Sequence, residues 1–236
     1  MKDYILSFGV PADKIDIMFN PVDTDIFTPK SEKNKYRKLF NIPEDKTVIL
    51  CPRRLVKKNG VIYPVLACVH LREKIKDFVL VYTGDGGERT TIEELIKKYK
   101  LENNVLLLGS VEHNNNKMNK LYNAADVVVI PSILSEGMEE ATSISALETM
   151  ASGIPVIASN IGGLKNIIKN KFDGILVSEK NEKEFADTIY AILTNKEMYE
   201  SISHNSVGSV RGNFSYMSRT EFFIKVAAKV KDTPQN

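Results

Sequence analysis

Short runs of apolar, largely β-branched residues alternate along this chain with longer stretches in which apolar positions recur every three or four residues. The first pattern predicts strands buried on both faces and the second amphipathic helices, so their alternation predicts a parallel sheet covered by helices on both sides. Strands are expected at 47–52, 78–83, 105–108, 127–130, 155–158 and 174–177. Helices are expected at about 61–75, 88–98, 117–124, 143–152, 164–169 and 183–193, with two more at 196–211 and 216–230. The expected class is therefore α/β, a Rossmann-like doubly wound parallel sheet with C-terminal helices appended. In such a sheet ligands bind beyond the carboxyl ends of the strands.

Residues before about Lys46 break the pattern, because Pro11, Asn20-Pro21 and Pro29 surround one short apolar segment from Ile15 to Phe19. That composition predicts a linker, or the remnant of a preceding domain, over 1–45. A ligand-binding domain is then expected over 46–212, and a crossover helix with a frayed tail over 213–236.

Composition narrows the function classes. With 236 residues and 43% hydrophobic content the chain can build one large α/β domain or two small ones. Its 32 basic and 30 acidic residues give a formal charge of +2 without a concentrated basic stripe, which argues against nucleic acid as a partner. Cys51 and Cys68 lack CxxC spacing and a neighbouring His pair, so buried, reduced thiols are expected. No apolar run approaches the roughly 18 residues of a membrane span, and the N-terminus has no signal-peptide pattern; a cytoplasmic location is expected.

The densest chemistry lies in Glu140-Ala-Thr-Ser-Ile-Ser-Ala-Leu-Glu148. It follows the strand exit at Pro131 and runs into a helix that Gly153 and Pro155 bring to a stop. On a continuous helix, eight residues would put the two carboxylates about 80° apart and about 12 Å along the axis. Thr142, Ser143 and Ser145 supply hydroxyls between them, and a helix start supplies unpaired N–H groups that favour an anion. One carboxylate could hold a sugar, the other a ribose, and the amides a diphosphate. A Glu near a helix start and a Ser or Thr cap are also ordinary helix chemistry, while Ile144, Leu147, Met150 and Ala151 at helical spacing are core residues.

Several motifs taken in order go further. Asn20-Pro-Val-Asp-Thr-Asp-Ile-Phe-Thr-Pro29, Arg53-Arg-Leu-Val56, Tyr82-Thr-Gly-Asp-Gly86, Leu108-Gly-Ser-Val111, Ala124-Ala-Asp-Val127, the two-glutamate segment and Ile161-Gly-Gly163 succeed one another along nearly the whole chain. In this order and spacing the chain resembles the C-terminal, donor-binding domain of family 4 retaining glycosyltransferases of the two-domain GT-B architecture.

The resemblance implies transfer of a sugar from a nucleoside diphosphate, with retention at the anomeric carbon, without a bound metal and without an organic cofactor. Protein cations would then hold the diphosphate, a role that falls on Arg54 with Lys58 as the nearest lysine. The family commonly has Lys directly before the glycine, where this chain has Asn59 before Gly60. Either Lys58 reaches the phosphate from one position earlier, with Arg53 or Arg54 as partner, or Asn59 only hydrogen-bonds and arginine carries more of the work. Glu140 would bind the donor sugar and Glu148 the ribose hydroxyls. Thr142, Ser143 and Ile144 would present amides to phosphate, Val111 would sit where the base is read through backbone atoms, and Gly84 and Gly163 would line the cleft. Asn166 stands where the family often has Glu.

Other features carry less. Asp23-Thr-Asp25 lies in the inter-domain loop and is not expected to hold metal, and Gly84-Asp-Gly-Gly87 does not fit a dinucleotide fingerprint. His113 follows the base-reading loop, whereas His70 and His204 fall in helical patterns. The expected partners are a UDP-, GDP- or ADP-linked sugar and an N-terminal acceptor domain in cis or trans, with peripheral membrane association left open for the complete enzyme. Catalysis in this architecture needs both domains to close over the donor, so this chain alone is expected to bind donor and transfer poorly. A sugar-nucleotide epimerase half and a noncatalytic nucleotide-binding module are the competing readings.

Overall fold

The computed structural model describes residues 2–111, 114–137 and 140–232, so His113 lies outside the described residues. Six strands form one parallel sheet: β1 (Thr47–Pro52), β2 (Phe78–Thr83), β3 (Val105–Leu107), β4 (Val127–Ile130), β5 (Val156–Ser159) and β6 (Ile175–Val177). Their order is β3-β2-β1-β4-β5-β6. The chain winds outward from β1 in one direction, then returns and winds outward from β4 in the other. That reversal opens a crevice between the carboxyl ends of β1 and β4.

Period-two alternation divides the strand side chains between two cores. Val48, Leu50, Val79, Val81, Val128, Ile130, Val156 and Ala158 face one core. Ile49, Cys51, Phe78, Leu80, Tyr82, Val127, Val129 and Ile157 face the other. The second core is closed by α3 (Ile62–Leu71), α4 (Arg89–Tyr99) and α8 (Glu182–Thr194). The first is closed by α5 (Asn115–Ala124), α6 (Ile144–Ala151), α7 (Leu164–Ile167) and the end of α9 (Lys196–Phe214). Cys51 and Cys68 are buried and unpaired, and burial pushes the Cys51 thiol up to about 12.

Residues expected to form a linker contribute to this fold. A short α1 (Lys2–Leu6) is followed by an extended stretch and then α2 (Lys33–Leu39). Val22, Phe27, Tyr36, Phe40 and Ile42 are buried in the first core. Val22 pairs with Ser215 in an isolated parallel bridge, its amide donating to the Phe214 carbonyl at 2.8 Å. Lys30 N–H donates to Asn123 Oδ1 at 2.8 Å, which ties the segment to α5. Arg37, 5% exposed, spreads its donors over the carbonyls of Ala124, Glu44 and Lys46 and the Asp126 carboxylate. Asp126 in turn accepts from the Val48 amide at 2.7 Å, so α2 is pinned to the amino end of the sheet. The last helix, α10 (Tyr216–Asp232), projects apolar side chains into solvent.

Candidate functional site

The loops leaving β1, β4 and β5 meet at the crevice. After Pro52 the chain places Arg53 inward, 9% exposed, and Arg54 outward into solvent. The Arg53 guanidinium pairs with the Glu140 carboxylate. Its Nη2 also donates to Asn59 Oδ1 at 2.8 Å and Ser132 Oγ at 3.1 Å, and its Nη1 to Ser143 Oγ at 3.1 Å. Ser132 Oγ donates to the same Glu140 oxygen at 2.9 Å. Residues following β1, β4 and the start of α6 are thus joined through one arginine.

Ser143 caps α6 with extended backbone angles (φ −88°, ψ 99°), but its hydroxyl makes no capping bond to the helix. The Ile144 and Ser145 amides therefore have no acceptor among the described residues, while Ala146 N–H already bonds Ser143 O at 3.2 Å. Ser145 Oγ donates to Pro52 O at 3.2 Å, which fixes the first turn of α6 against the end of β1. Two free amides with positive dipole character consequently lie next to a buried guanidinium.

Glu140 precedes the helix rather than riding on it, so the angular relation expected between the two carboxylates on a continuous helix does not apply. Glu148 does lie on α6, where it is 4% exposed, and it accepts from the Tyr122 hydroxyl at 2.6 Å. Burial, and then the neighbouring Glu148 charge, push the Tyr122 phenol well above its usual range. Tyr122 is therefore a fixed donor that orients Glu148 between α5 and α6.

The two glycines serve the scaffold. A Cβ on Gly84, which has φ +123°, would stand 2.5 Å from the Arg53 carbonyl oxygen. Gly84 thus seats the β2 loop against the Arg53 backbone. A Cβ on Gly163 would overlap the Ala141 carbonyl, and Gly163 N–H donates to Glu140 O at 2.6 Å. Both were expected to line the cleft, and each packs closely on a neighbouring loop. Lys58 is exposed, and its backbone carbonyl accepts from Ile133 N–H at 3.0 Å. Thr142 and Ile144 are half-buried at the helix start, and Val111 packs partly buried against the first core on the same carboxyl edge. Asp23 of the DxD uses Oδ1 to accept from the Asp25 and Ile26 amides at 3.0 and 3.1 Å, an ordinary local turn.

The chain matches the family described as Glycosyl transferases group 1 over residues 32–207, most of its length. It belongs to that family. Among curated relatives of this group 1 chain, the uncharacterized glycosyltransferase MJ1607 of Methanocaldococcus jannaschii is 34% identical over 220 residues, covering 92% of this chain and 54% of the relative. D-inositol 3-phosphate glycosyltransferase of Xylanimonas cellulosilytica is 29% identical over 202 residues, covering 82% and 46%. The chain thus spans about half the length of these relatives. The crystal structure of Anabaena Alr3699/HepE in complex with UDP superposes with a TM-score of 0.86 at 19% identity, covering 97% of this chain and 61% of that one. The fold is accordingly that of GT-B glycosyltransferases.

Within this group 1 domain, Glu140, Ser143 and the α6 amides converge at the switch point, while the Arg54 and Lys58 side chains are exposed to solvent. Ser132 and Tyr122 were not among the expected site residues, whereas Arg53 and Asn59 stood as alternatives beside Arg54 and Lys58. Arg53 and Asn59 had a signal in the doubled arginine and in the Asn that stands before Gly60. Ser132 had one in its position directly after the strand exit at Pro131. Tyr122 reads in sequence as one more apolar position of α5, and nothing local marks it.

Proposed function

We propose that this domain binds a nucleoside diphosphate sugar at the β1–β4 crevice and serves as the donor half of a retaining, metal-independent glycosyltransferase making glycans, polysaccharides or glycolipids. The observation that carries this reading is the convergence of Arg53, Glu140 and the free Ile144 and Ser145 amides in one crevice at the carboxyl edge. A cation and unpaired N–H groups suit phosphate oxygens, and a carboxylate beside them suits sugar hydroxyls. Glu140 takes the sugar, Glu148 the ribose, and Thr142, Ser143 and Ile144 the diphosphate, with exposed Arg54 and Lys58 as outer cations at the mouth. Val111 offers backbone atoms to the base. The UDP complex of the Anabaena protein supports a nucleotide ligand for this fold. An acceptor domain, N-terminal by resemblance, would complete the active site by closing over the donor.

Calorimetric titration with UDP, GDP and ADP, and then with the corresponding hexose conjugates, tests the reading. Glu148→Gln is expected to weaken nucleoside diphosphate binding, and Glu140→Gln to weaken the sugar conjugate more than the bare diphosphate. Each lost charged hydrogen bond costs about 1.5 to 3 kcal/mol. Unchanged binding of the intact donor by both variants would remove both assignments. Assaying sugar transfer and product anomeric configuration with this domain joined to an N-terminal acceptor domain separates a retaining transferase from an epimerase half or a sensor.

A further inference from the structure

We propose that α7 and the turn leading from it into β6, together with the exposed face of α9 beside them, dock this domain on a bilayer that carries anionic lipid. The turn lies at the amino edge of the sheet, opposite the crevice, so its role does not depend on what the crevice binds. Lys165, Lys169 and Lys171 are exposed there, and Phe172 at the tip is 50% exposed. Lys169 Nζ stands over the Phe172 ring, 5.7 Å from its centroid. From Lys165 to Gly174 the one acidic residue is Asp173, and it is 1% exposed. Asn205 Nδ2 donates to the Phe172 carbonyl at 3.1 Å, which seats the turn on α9. Beyond Glu200, which pairs with Lys196, α9 carries no acid as far as Phe214, while His204 and Arg211 are exposed. In a chain whose formal charge is only +2, positive charge is thus gathered on one surface without a neighbouring exposed carboxylate on these elements.

The turn is built to hold its tip outward. Lys171 has φ +63°, a left-handed conformation that is unfavourable for a lysine. Its N–H donates to the Gly174 carbonyl at 2.8 Å, Asp173 Oδ1 accepts from the Lys169 amide at 2.7 Å, and Asn170 Oδ1 accepts from the Leu176 amide at 2.9 Å. A buried carboxylate and a strained lysine therefore fix a turn whose tip is an aromatic ring in water. Covering that ring is favourable, and the lysines around it select what can cover it. The boundary between headgroups and acyl chains supplies both needs: hydrocarbon for the ring and phosphate for the ammonium groups. An acidic protein surface or a nucleic acid duplex would meet the cations but offer the ring no hydrocarbon. One ring and four cations give reversible, salt-sensitive attachment rather than insertion.

The chain contains no tryptophan, so Phe172→Trp places a single fluorescent reporter at the tip. Its emission should shift to the blue with phosphatidylcholine vesicles that carry about 30% phosphatidylglycerol, and stay unshifted with phosphatidylcholine alone. No shift with either vesicle would overturn the proposal. Co-sedimentation of the whole chain with the same vesicles measures the attachment. Lys169→Gln combined with Lys171→Asn, a residue that tolerates left-handed backbone, is expected to weaken it about twentyfold, at about fivefold for each lysine. Phe172→Ser is expected to weaken it about fivefold or more, and about 0.5 M salt to release the parent. Melting temperatures should stay at the parent's, since each replaced side chain is exposed. Phe172→Ser binding as tightly as the parent would mark a face for polyanions instead of a bilayer. Tip variants that bind like the parent, with attachment lost on combining Phe223→Lys and Ile224→Glu, would place it on α10. Either of those results sinks the inference and leaves the crevice reading intact.

Discussion

At the residue scale, Gly163 shows how the site is held by absence of a side chain rather than by a functional group. Its φ of −68° is ordinary helical backbone, so alanine would meet no conformational penalty there. The obstacle is steric: the added Cβ would overlap the Ala141 carbonyl, on the loop that presents Glu140. Gly163→Ala should therefore push that loop outward and destabilise the domain by about 2 kcal/mol. Gly208→Ala is the control, because it lies within α9 with open space around its Cα and should stabilise by about 0.5 to 1 kcal/mol through helix propensity. Urea denaturation of the two variants beside the parent reads both signs. An unshifted midpoint for Gly163→Ala would mean that the Glu140 loop yields freely. The same scale shows where sequence reading stopped. Arg53 and Arg54 are adjacent and identical, and in extended chain neighbours point to opposite sides. Which of them faces the crevice is set by how β1 ends at Pro52 and by the Gly84 loop packed on the Arg53 carbonyl, neither of which is visible in a local motif.

At the scale of elements, the segment before β1 reaches the site through one aromatic contact. Phe27 is 3% exposed and meets Tyr122 edge-on, with ring centroids 6.0 Å apart. Tyr122 in turn orients Glu148. Phe27→Ala is expected to cost about 3 to 5 kcal/mol as a buried aromatic truncation. It should also weaken nucleotide binding under conditions where the variant remains folded, because the cavity frees the Tyr122 ring. Thermal melts and titration of the same samples distinguish the two effects; lost stability with intact affinity would make the contact purely structural. The six strands were legible because a strand buried on both faces leaves a compact β-branched run, and β1, β2 and β4 begin and end where those runs do. The segment of Val22 to Ile42 was not legible as part of the domain. Its partners, Ser215, Asn123 and Asp126, are distant in sequence, and its prolines and short apolar stretch carry the local appearance of a connector. Likewise α3 ends at Leu71, earlier than its apolar pattern suggests, as the chain turns back toward β2.

At the scale of the whole molecule, the parallel order with its reversal between β1 and β4 explains why so little of the sequence needs to be chemical. The two halves diverge at that point, and the topology brings the loops after β1 and β4 together, where Arg53, Ser132 and Glu140 join them. The surface presents the opposite situation. Tyr216, Met217, Phe223 and Ile224 on α10 are 60%, 75%, 61% and 60% exposed, and Tyr4 and Phe8 near α1 are 68% and 69% exposed. Exposed apolar residues are common singly, but clusters on one helix lower the free energy of any contact that covers them. This chain should therefore self-associate through α10, with weight-average sedimentation rising with concentration. Phe223→Lys combined with Ile224→Glu, both at solvent-exposed positions, should shift it toward monomer while leaving the melting temperature and nucleotide affinity unchanged. A parent that sediments as a monomer at millimolar concentration would show that the polar residues interspersed along α10 suffice to keep this face in water.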